Sequence, residues 1–307
     1  MASLKGRDLI SIGDFSDGEI LRVLDTAKAM DCNPAKASSL CKGKILATLF
    51  FEPSTRTRLS FETAMLRLGG GCIGFSDVHS TSFEKGESLE DGISMVQAYA
   101  DVIAMRHSQA SSLQKAADCS NVPVINAGEG VEEHPTQTLV DLYTIRKELG
   151  SLKVKIGLYG DLKHSRTNHS LLLAGARLGA SLYCIAPREL QMPREYLNKA
   201  RKHGAEIRLV DDVNGVLPGL DVLYVSRLQK ERLSAGANYA LLKESYHVSQ
   251  GTLKKMKRKS LVMHALPRVG EIDVVIDSDP RAAYFRQAAN AVPVRMALLS
   301  LLLGAVK

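Results

Sequence analysis

Residues 54–58 are five consecutive residues with hydroxyl or guanidinium side chains, and they directly follow an apolar run. That run, residues 44–51 (KILATLFF), is rich enough in β-branched and aromatic residues to predict a buried strand. From Leu59 on, apolar residues recur at helical spacing until residues 69–71, three glycines that predict the end of the helix. Residues 54–57 are therefore expected at a helix N-terminus, where free N–H groups and the helix dipole attract anions. This predicts a phosphate pocket; the alternative is an ordinary serine N-cap beside surface arginines.

Further polar side chains follow other predicted strands. The residues concerned are arginine, histidine and glutamine, namely Arg106, His107, His134, Gln137, Arg166, Arg227, Gln229 and Arg268. Because ligands bind where parallel strands end, we expect these groups to form binding sites. The sequence shows no Ser-His-Asp order, no HExxH motif and no carboxylate pair with an evident acid–base role. Such a set favours group transfer between two anionic substrates, with the protein supplying proximity and electrostatic stabilisation.

Alternating strand-like and helix-like segments predict an α/β protein with two doubly wound parallel-sheet domains joined by helices. A length of 307 residues also favours two domains. We expect one domain over residues 1–134, a connecting helix over 135–149 and a second domain over 150–285. An apolar helix over about 290–307 is expected to pack back on the first domain.

The composition limits the classes of protein to which the chain could belong. Hydrophobic residues make up 45% and charged residues 24%, the mixture of a soluble globular protein. The start of the chain has no apolar signal core, and the longest apolar stretch, near residue 300, is too short to span a bilayer. Five scattered cysteines without metal spacing predict reduced thiols, and with them a cytoplasmic protein. No cofactor and no metal site are indicated.

The net charge of +7 fits either nucleic acid or small anionic ligands. The densest basic cluster, residues 254–259 (KKMKRK), has no interleaved aromatic residues, which favours a solvated helix end over a nucleic-acid patch. A nicotinamide enzyme is disfavoured, because VKIGLYGD lacks the glycine pattern of a dinucleotide site.

At the level of motifs, the chain resembles the aspartate/ornithine carbamoyltransferase family along nearly its whole length, and within it the catalytic chains that use aspartate. The matching motifs are FEPSTRTR (51–58), KGE (85–87), MRH (105–107), HPTQ (134–137), GDLKxxRT (160–167), RxQKER (227–232) and HxLPR (264–268). The resemblance implies transfer of the carbamoyl group of carbamoyl phosphate to L-aspartate, an early step of pyrimidine biosynthesis. It also implies a homotrimer with shared active sites, and possible regulatory chains as partners.

The resemblance assigns the carbamoyl phosphate site residue by residue. The phosphate would be held by hydroxyls and a guanidinium, namely Ser54, Thr55, Arg56 and Thr57. The carbamoyl oxygen would face three donors, Thr57, Arg106 and His134, and the carbamoyl amino group would face Gln137 and the backbone carbonyls of Leu266 and Pro267.

The aspartate site and the shared loop follow by the same resemblance. Arg166, Arg227 and Gln229 would take the two aspartate carboxylates. Ser82 and Lys85 would come from a neighbouring chain, Ser82 to the carbamoyl phosphate site and Lys85 to the aspartate site. The catalytic set is thus Arg56, Thr57, Lys85, Arg106 and His134.

Three residues depart from the family pattern, and one rival remains. Glu132 and Glu133 are acids beside an anion site, and are expected to weaken binding unless they point outward or pair with a base. Ala265 stands where the family usually has proline. The rival is an ornithine carbamoyltransferase, whose second substrate has a cationic side chain; Arg227 would repel it and attract a carboxylate.

Overall fold

The computed structural model describes residues 3–130, 132–229 and 246–306. The chain divides into two compact units, the first formed by Met1–Tyr143 with Asn290–Lys307 and the second by Thr144–Ala289. Each unit is a parallel β-sheet with helices packed against it, so the predicted fold class is confirmed.

The first unit is built on a four-stranded sheet with strand order β2-β1-β3-β4. Its elements, in chain order, are α1 (Asp17–Cys32), β1 (Ile45–Phe50), α2 (Thr55–Arg67), β2 (Gly71–Phe75), α3 (Leu89–Val96), β3 (Val102–His107), α4 (Ser112–Cys119) and β4 (Val124–Glu129). The helix α5 (Pro135–Leu149) follows and contains the boundary between the two units. The strands β1 and β3 are buried over most of their length, as their apolar sequences predict.

The second unit is built on a five-stranded parallel sheet with strand order β7-β6-β5-β8-β9. Its elements are β5 (Lys155–Gly160), α6 (Arg166–Arg177), β6 (Ser181–Ile185), α7 (Arg194–Arg201), β7 (Ile207–Val210), β8 (Val222–Ser226), α8 (Gln250–Lys255) and β9 (Leu261–His264). The last helix, α9 (Tyr284–Leu302), contains the second boundary between the units.

Each sheet has one point at which the order of its strands reverses direction. In the first sheet this point lies between β1 and β3, which pair in register with Phe50 opposite Arg106. In the second sheet it lies between β5 and β8, where Gly160 is opposite Ser226. Chain connections leave such a point in opposite directions and open a crevice at the carboxyl ends of the two strands, where ligands bind.

Gly160 allows the close approach of β5 and β8 at the second of these points. Its φ of +114° disfavours other residues, and a Cβ atom there would lie 2.4 Å from the backbone oxygen of Ser226. Any side chain at this position would push the ends of the two strands apart.

Helix α9 begins at Tyr284, six residues before the expected start at about residue 290. The prediction was drawn from the apolar stretch that follows Pro293, whereas the helix includes Pro293 in its interior. Residues 284–290, YFRQAAN, lack glycine and proline and contain helix-favouring alanine, glutamine and arginine, so nothing in them stops the helix. Arginine at 295 lies in the part of α9 that belongs to the first unit.

Two smaller predictions concern the surface and the thiols. Lys254 and Lys255 lie in the last turn of α8 and are exposed, so the prediction of a solvated helix end at this basic cluster is confirmed. All five cysteines are free thiols, and burial raises the pKa of Cys41 to about 11. Across the described ranges no helix combines the length and the apolar character needed to cross a bilayer.

Candidate active site

The N-terminus of α2 lies directly after β1, on the side of the switch point where β1 ends. Ser54 is the N-cap residue, but its hydroxyl makes no capping hydrogen bond to the helix. The first backbone N–H groups of α2, at Thr55, Arg56 and Thr57, therefore have neither a helical partner nor a side-chain cap. They form the anion-attracting helix end that the sequence predicts.

Arg56 adds a positive charge to this helix end. Within the described ranges it has no carboxylate partner, and the surrounding protein lowers the pKa of its guanidinium through desolvation. Arg58, two residues on, is different, because its Nε is 2.7 Å from Glu62 Oε1 in an ion pair along the helix. Of the two arginines, Arg56 is thus the one whose charge remains available for an anion.

Arg106 brings a second guanidinium to the same place from the end of β3. Its Nη1 donates to Ser54 Oγ at 3.3 Å, and its Nε lies 3.3 Å from Glu52 Oε2. The carboxylate of Glu52 is half-buried beside the arginine and orients it. Glu52 belongs to the FEPSTRTR motif, but its type and spacing gave no sign of this role.

His134 and Gln137 enter from the loop and first turn after β4, the strand next to β3. His134 is buried, and its Nδ1 lies 3.4 Å from the Thr136 hydroxyl. A hydroxyl that donates to Nδ1 favours the tautomer with its proton on Nε2, which can then donate to an oxygen. Gln137 donates from Nε2 to Asp141 Oδ1 at 2.8 Å, which leaves its carbonyl oxygen to accept from an N–H group.

Glu133 directs its carboxylate to the segment near the start of the chain. Its Oε1 accepts from Ser11 Oγ at 2.8 Å and its Oε2 from the backbone N of Ile12 at 3.0 Å. The carboxylate thus caps the short helix Ile12–Asp14. Glu132 is exposed.

Ser82 and Lys85 lie on a separate loop between β2 and α3. Ser82 donates to Glu87, and Lys85 is exposed. Among the described residues, neither makes a hydrogen bond or ion pair with the groups at the start of α2. The ring of Phe83 holds the loop, with its centroid 4.9 Å from that of Phe51, and it fills the space that a Cβ atom on Gly92 would need.

In the second unit, arginine and glutamine side chains also lie near the point where the strand order reverses. Arg166 is the first residue of α6, which follows β5, and Arg227 follows β8. Gln229 donates from Nε2 to the backbone oxygen of His164 at 2.7 Å, so the two loops are joined. Residues 230–232, the end of the RxQKER motif, lie outside the described residues.

Asp161 organises these two loops from a fully buried position. Its carboxylate accepts from the backbone N of His164 at 3.1 Å and from that of Gln229 at 3.2 Å. Its Oδ1 also lies 3.0 Å from His164 Nδ1. Asp161 was part of the GDLKxxRT motif, yet nothing in its type or spacing indicated that it would fix both loops.

Leu266 and Pro267 follow β9 and are joined by a cis peptide bond. The backbone N of Leu266 donates to His264 Nδ1 at 2.7 Å, while His264 Nε2 lies 2.7 Å from Glu271 Oε1. His264 and Glu271 are both buried. Burial opposes ionisation of Glu271, but the nearby His264 ring and the hydrogen bond from the backbone N of Val269 outweigh it and lower the pKa of Glu271. This pair, which the sequence analysis missed, supports the turn that presents the Leu266 carbonyl.

The structure therefore brings the predicted residues together in two groups, one in each unit. The first unit holds Ser54, Thr55, Arg56, Thr57, Arg106, His134 and Gln137 around the ends of β1, β3 and β4. The second unit holds Arg166, Arg227, Gln229, Leu266 and Pro267 after β5, β8 and β9. Within the described part of the chain, no cluster of three or more histidine, cysteine, aspartate or glutamate side chains is arranged to hold a metal ion.

These features define a class: a two-unit parallel α/β protein that carries arginines and hydrogen-bond donors at the switch point of each sheet, suited to binding small anions. Residues 7–147 match the family model described as the carbamoyl-P binding domain of aspartate/ornithine carbamoyltransferase. Residues 152–302 match the Asp/Orn binding domain of the same family.

Individual proteins agree with the family match. The chain is 50% identical, over 99% of each sequence, to the aspartate carbamoyltransferase catalytic subunit of Thermococcus onnurineus. Its structure is similar to that of Trypanosoma cruzi aspartate transcarbamoylase in complex with carbamoyl phosphate, with a TM-score of 0.93, 39% identity and coverage of 98% and 97% of the two chains. The catalytic subunit of M. jannaschii aspartate transcarbamoylase gives a TM-score of 0.90, 43% identity and coverage of 97% and 98%. The chain belongs to the aspartate/ornithine carbamoyltransferase family, as its motifs predicted.

Proposed function

We propose that the chain is a carbamoyltransferase that joins carbamoyl phosphate and L-aspartate to give N-carbamoyl-L-aspartate and phosphate, an early step of pyrimidine biosynthesis. The observation that carries this proposal is the pair of switch points, each with arginines and hydrogen-bond donors and each within one of the two family domains. Solved T. cruzi relatives are described as complexes with carbamoyl phosphate and with N-(phosphonacetyl)-L-aspartic acid, at 39% identity.

The first unit binds carbamoyl phosphate. The phosphate lies against the free N–H groups at the start of α2, where the hydroxyls of Ser54, Thr55 and Thr57 and the Arg56 guanidinium surround it. The 3.3 Å contact from Arg106 to Ser54 brings a further donor to this point. Gln137, whose amide nitrogen is tied to Asp141, directs its carbonyl oxygen to the amino group of the carbamoyl moiety.

The reaction needs stabilisation of charge more than a protein nucleophile. The aspartate nitrogen forms a bond to the carbamoyl carbon, the bond from that carbon to the bridging phosphate oxygen breaks, and one proton passes from the nitrogen to the departing phosphate. Negative charge grows on the carbamoyl oxygen during attack, and Thr57, Arg106 and His134 donate to it. Removal of one such donor commonly slows an enzyme by about 10²–10³-fold.

The second unit binds aspartate through Arg166, Arg227 and Gln229. A guanidinium matches the geometry of a carboxylate and can pair with it through two hydrogen bonds. Asp161 holds Gln229 and the loop before α6 in place by accepting from both backbones. The carbonyls of Leu266 and Pro267, supported by the His264–Glu271 pair, serve the carbamoyl amino group.

A homotrimer with shared active sites accounts for Ser82 and Lys85, which lie on a loop apart from the other groups. On this proposal the loop of one subunit supplies both residues to the site of its neighbour. Exposed apolar side chains in the first unit support self-association: Leu59 and Leu66 on α2 and Ile73 on the edge strand β2 are 55%, 62% and 42% exposed. Regulatory partner chains and a cytoplasmic location stay predictions.

The discriminating experiment measures ureido product from carbamoyl phosphate with either L-aspartate or L-ornithine, in a colorimetric assay on the purified chain. We expect turnover with aspartate and at least tenfold less with ornithine, because cations at the second site repel an ammonium group. Turnover with ornithine and none with aspartate would assign the chain to the other branch of its family. Strongly salt-dependent retention of nucleic acid, without turnover of either substrate, would favour the nucleic-acid alternative.

A further inference from the structure

Arg295 is an arginine buried in the middle of the apolar helix α9. It is 2% exposed and is the largest of the fully buried side chains in the described ranges. Burial lowers the pKa of its guanidinium to about 9, against the opposing effect of the Asp141 charge. A buried cation opposes folding unless its contacts compensate, and a hydrophobic side chain at such a position is often as stable or more so. The presence of a cation here therefore points to a role beyond packing.

The first set of contacts leads from Arg295 to the start of α2. Its Nη1 donates to Ser60 Oγ at 2.7 Å, and its Cζ lies 4.7 Å from the centroid of the Phe61 ring. The Ser60 hydroxyl accepts this hydrogen bond and itself donates to the backbone oxygen of Arg56 at 2.5 Å. Arg295 is thus connected through one hydroxyl to the turn of α2 that carries Arg56 and the free N–H groups.

An acidic residue of α5 acts on Arg295 through its charge. Asp141 is the carboxylate whose charge favours the protonated form of Arg295. The same carboxylate accepts from Gln137 Nε2 at 2.8 Å and so fixes the direction of that amide. All of these residues belong to the first unit, although 235 positions separate Ser60 from Arg295 in the sequence.

We propose that Arg295 is a positioning residue for carbamoyl phosphate: through Ser60 it holds the phosphate-binding turn of α2. The inference rests on the proposed function of this turn. Arg295 touches no substrate itself. It fixes the position of groups that bind the phosphate, so its loss weakens binding of carbamoyl phosphate more than binding of aspartate.

The ordinary alternative is that Arg295 only anchors α9 to the rest of the first unit. Under that alternative, any substitution that loosens the buried face of α9 has the same consequences. Leu298 provides the comparison, since it lies on the same helix, is fully buried and belongs to the same unit. Leu298→Ala removes packing without touching the hydrogen-bonded chain.

The experiment compares Arg295→Met, Ser60→Ala and Leu298→Ala with the parent protein. Binding of inorganic phosphate is measured by calorimetry, the KM of each substrate by assay, and stability by thermal unfolding. We expect Arg295→Met to raise the phosphate Kd and the carbamoyl phosphate KM at least tenfold, with the aspartate KM changed less than threefold. Ser60→Ala, which keeps the arginine, is expected to give a smaller change of the same kind, about three- to tenfold.

Leu298→Ala is expected to lower the melting temperature while the phosphate Kd stays within twofold of the parent value. Guanidinium ion added to Arg295→Ala should restore part of the lost phosphate affinity if the missing cation is what matters. Phosphate binding by Arg295→Met and Ser60→Ala within twofold of the parent would overturn the inference, as would an equal loss in Leu298→Ala. If the parent protein itself binds no phosphate, the proposed function fails together with this inference. If the parent binds phosphate and the variants bind it equally well, only this inference fails.

Discussion

Arg106 and Ser54 are joined by a 3.3 Å hydrogen bond, from Nη1 to Oγ, across the point where the first sheet changes strand order. The residues are 52 positions apart, and the parallel pairing of β1 with β3 brings them together. Because Ser54 also precedes the free N–H groups of α2, this single contact places a cation beside a helix N-terminus. The phosphate site thus depends on sheet topology as much as on the run of polar residues.

Arg56→Ala should lower kcat/KM for carbamoyl phosphate by at least 10²-fold. The change removes the cation at the helix end, which has no carboxylate partner among the described residues, whereas the fold keeps its caps and its core. Steady-state assays with each substrate varied in turn measure the effect.

Arg58→Ala is the matched control for this prediction. Arg58 is on the same helix but already pairs with Glu62 at 2.7 Å, so its removal should change kcat/KM less than threefold. Equal losses in both variants would mean that general positive charge, and not the position of Arg56, determines activity.

In the second unit, Arg227→Ala should raise the KM for aspartate about 10–100-fold while the KM for carbamoyl phosphate changes less than threefold. The loss corresponds to one charged hydrogen-bonded contact with a carboxylate. Arg208→Ala serves as the control, because Arg208 is exposed on β7 and bound to Glu206 at 2.7 Å. A larger effect of Arg227→Ala on carbamoyl phosphate than on aspartate would mean that the roles of the two units are assigned wrongly.

The sequence alone could place a polar side chain at the end of a strand wherever a polar motif directly follows an apolar run. Ser54 to Arg56 and Arg106 are of this kind, since the strand, the break and the polar residues are all local. Asp161, Glu52 and Glu271 were given no role, because a carboxylate becomes an organising group only through partners that tertiary structure supplies. Arg295 shows the same limit more clearly: within an apolar helix its type gives no sign of a contact with Ser60, 235 positions away.

The boundaries of α9 show another limit of local reasoning. The apolar stretch near the end of the chain indicated a helix start near residue 290, whereas proline is disfavoured in a helix interior. The helix nevertheless begins at Tyr284 and continues through Pro293. Tertiary packing of the buried residues of α9 outweighs the hydrogen bond that proline removes.

The buried His264–Glu271 pair should make stability depend on acid pH. In the folded chain the pKa of Glu271 lies below its ordinary value of 4.5. The ionised carboxylate therefore stabilises the fold fully above pH 4.5. This contribution is lost as the pH falls through the lowered pKa. Glu271→Gln should therefore reduce the free energy of unfolding by about 1–3 kcal/mol at pH 7, and the difference from the parent should shrink below pH 4.5.

Urea unfolding at fixed protein concentration, followed by circular dichroism between pH 7 and about pH 3, measures this difference. Glu206→Gln, a change at an exposed glutamate of the same unit, should give a curve parallel to the parent at every pH. A parallel curve for Glu271→Gln would show that ionisation of Glu271 contributes nothing to stability.

Mixing two inactive variants tests whether active sites are shared. Arg56→Ala disables the phosphate site of its own subunit and leaves its loop intact, whereas Lys85→Ala disables only the loop. If the loop acts in the neighbouring subunit, every mixed trimer contains one site with both parts intact. Random exchange of equal amounts should then restore about a quarter of the parent activity, since about three quarters of the trimers are mixed and one site in three of each mixed trimer works.

Mixing Arg56→Ala with the Arg56→Ala/Lys85→Ala double variant should restore none. If light scattering and mass spectrometry verify exchange and the first mixture still shows no recovery, each subunit has a self-contained site.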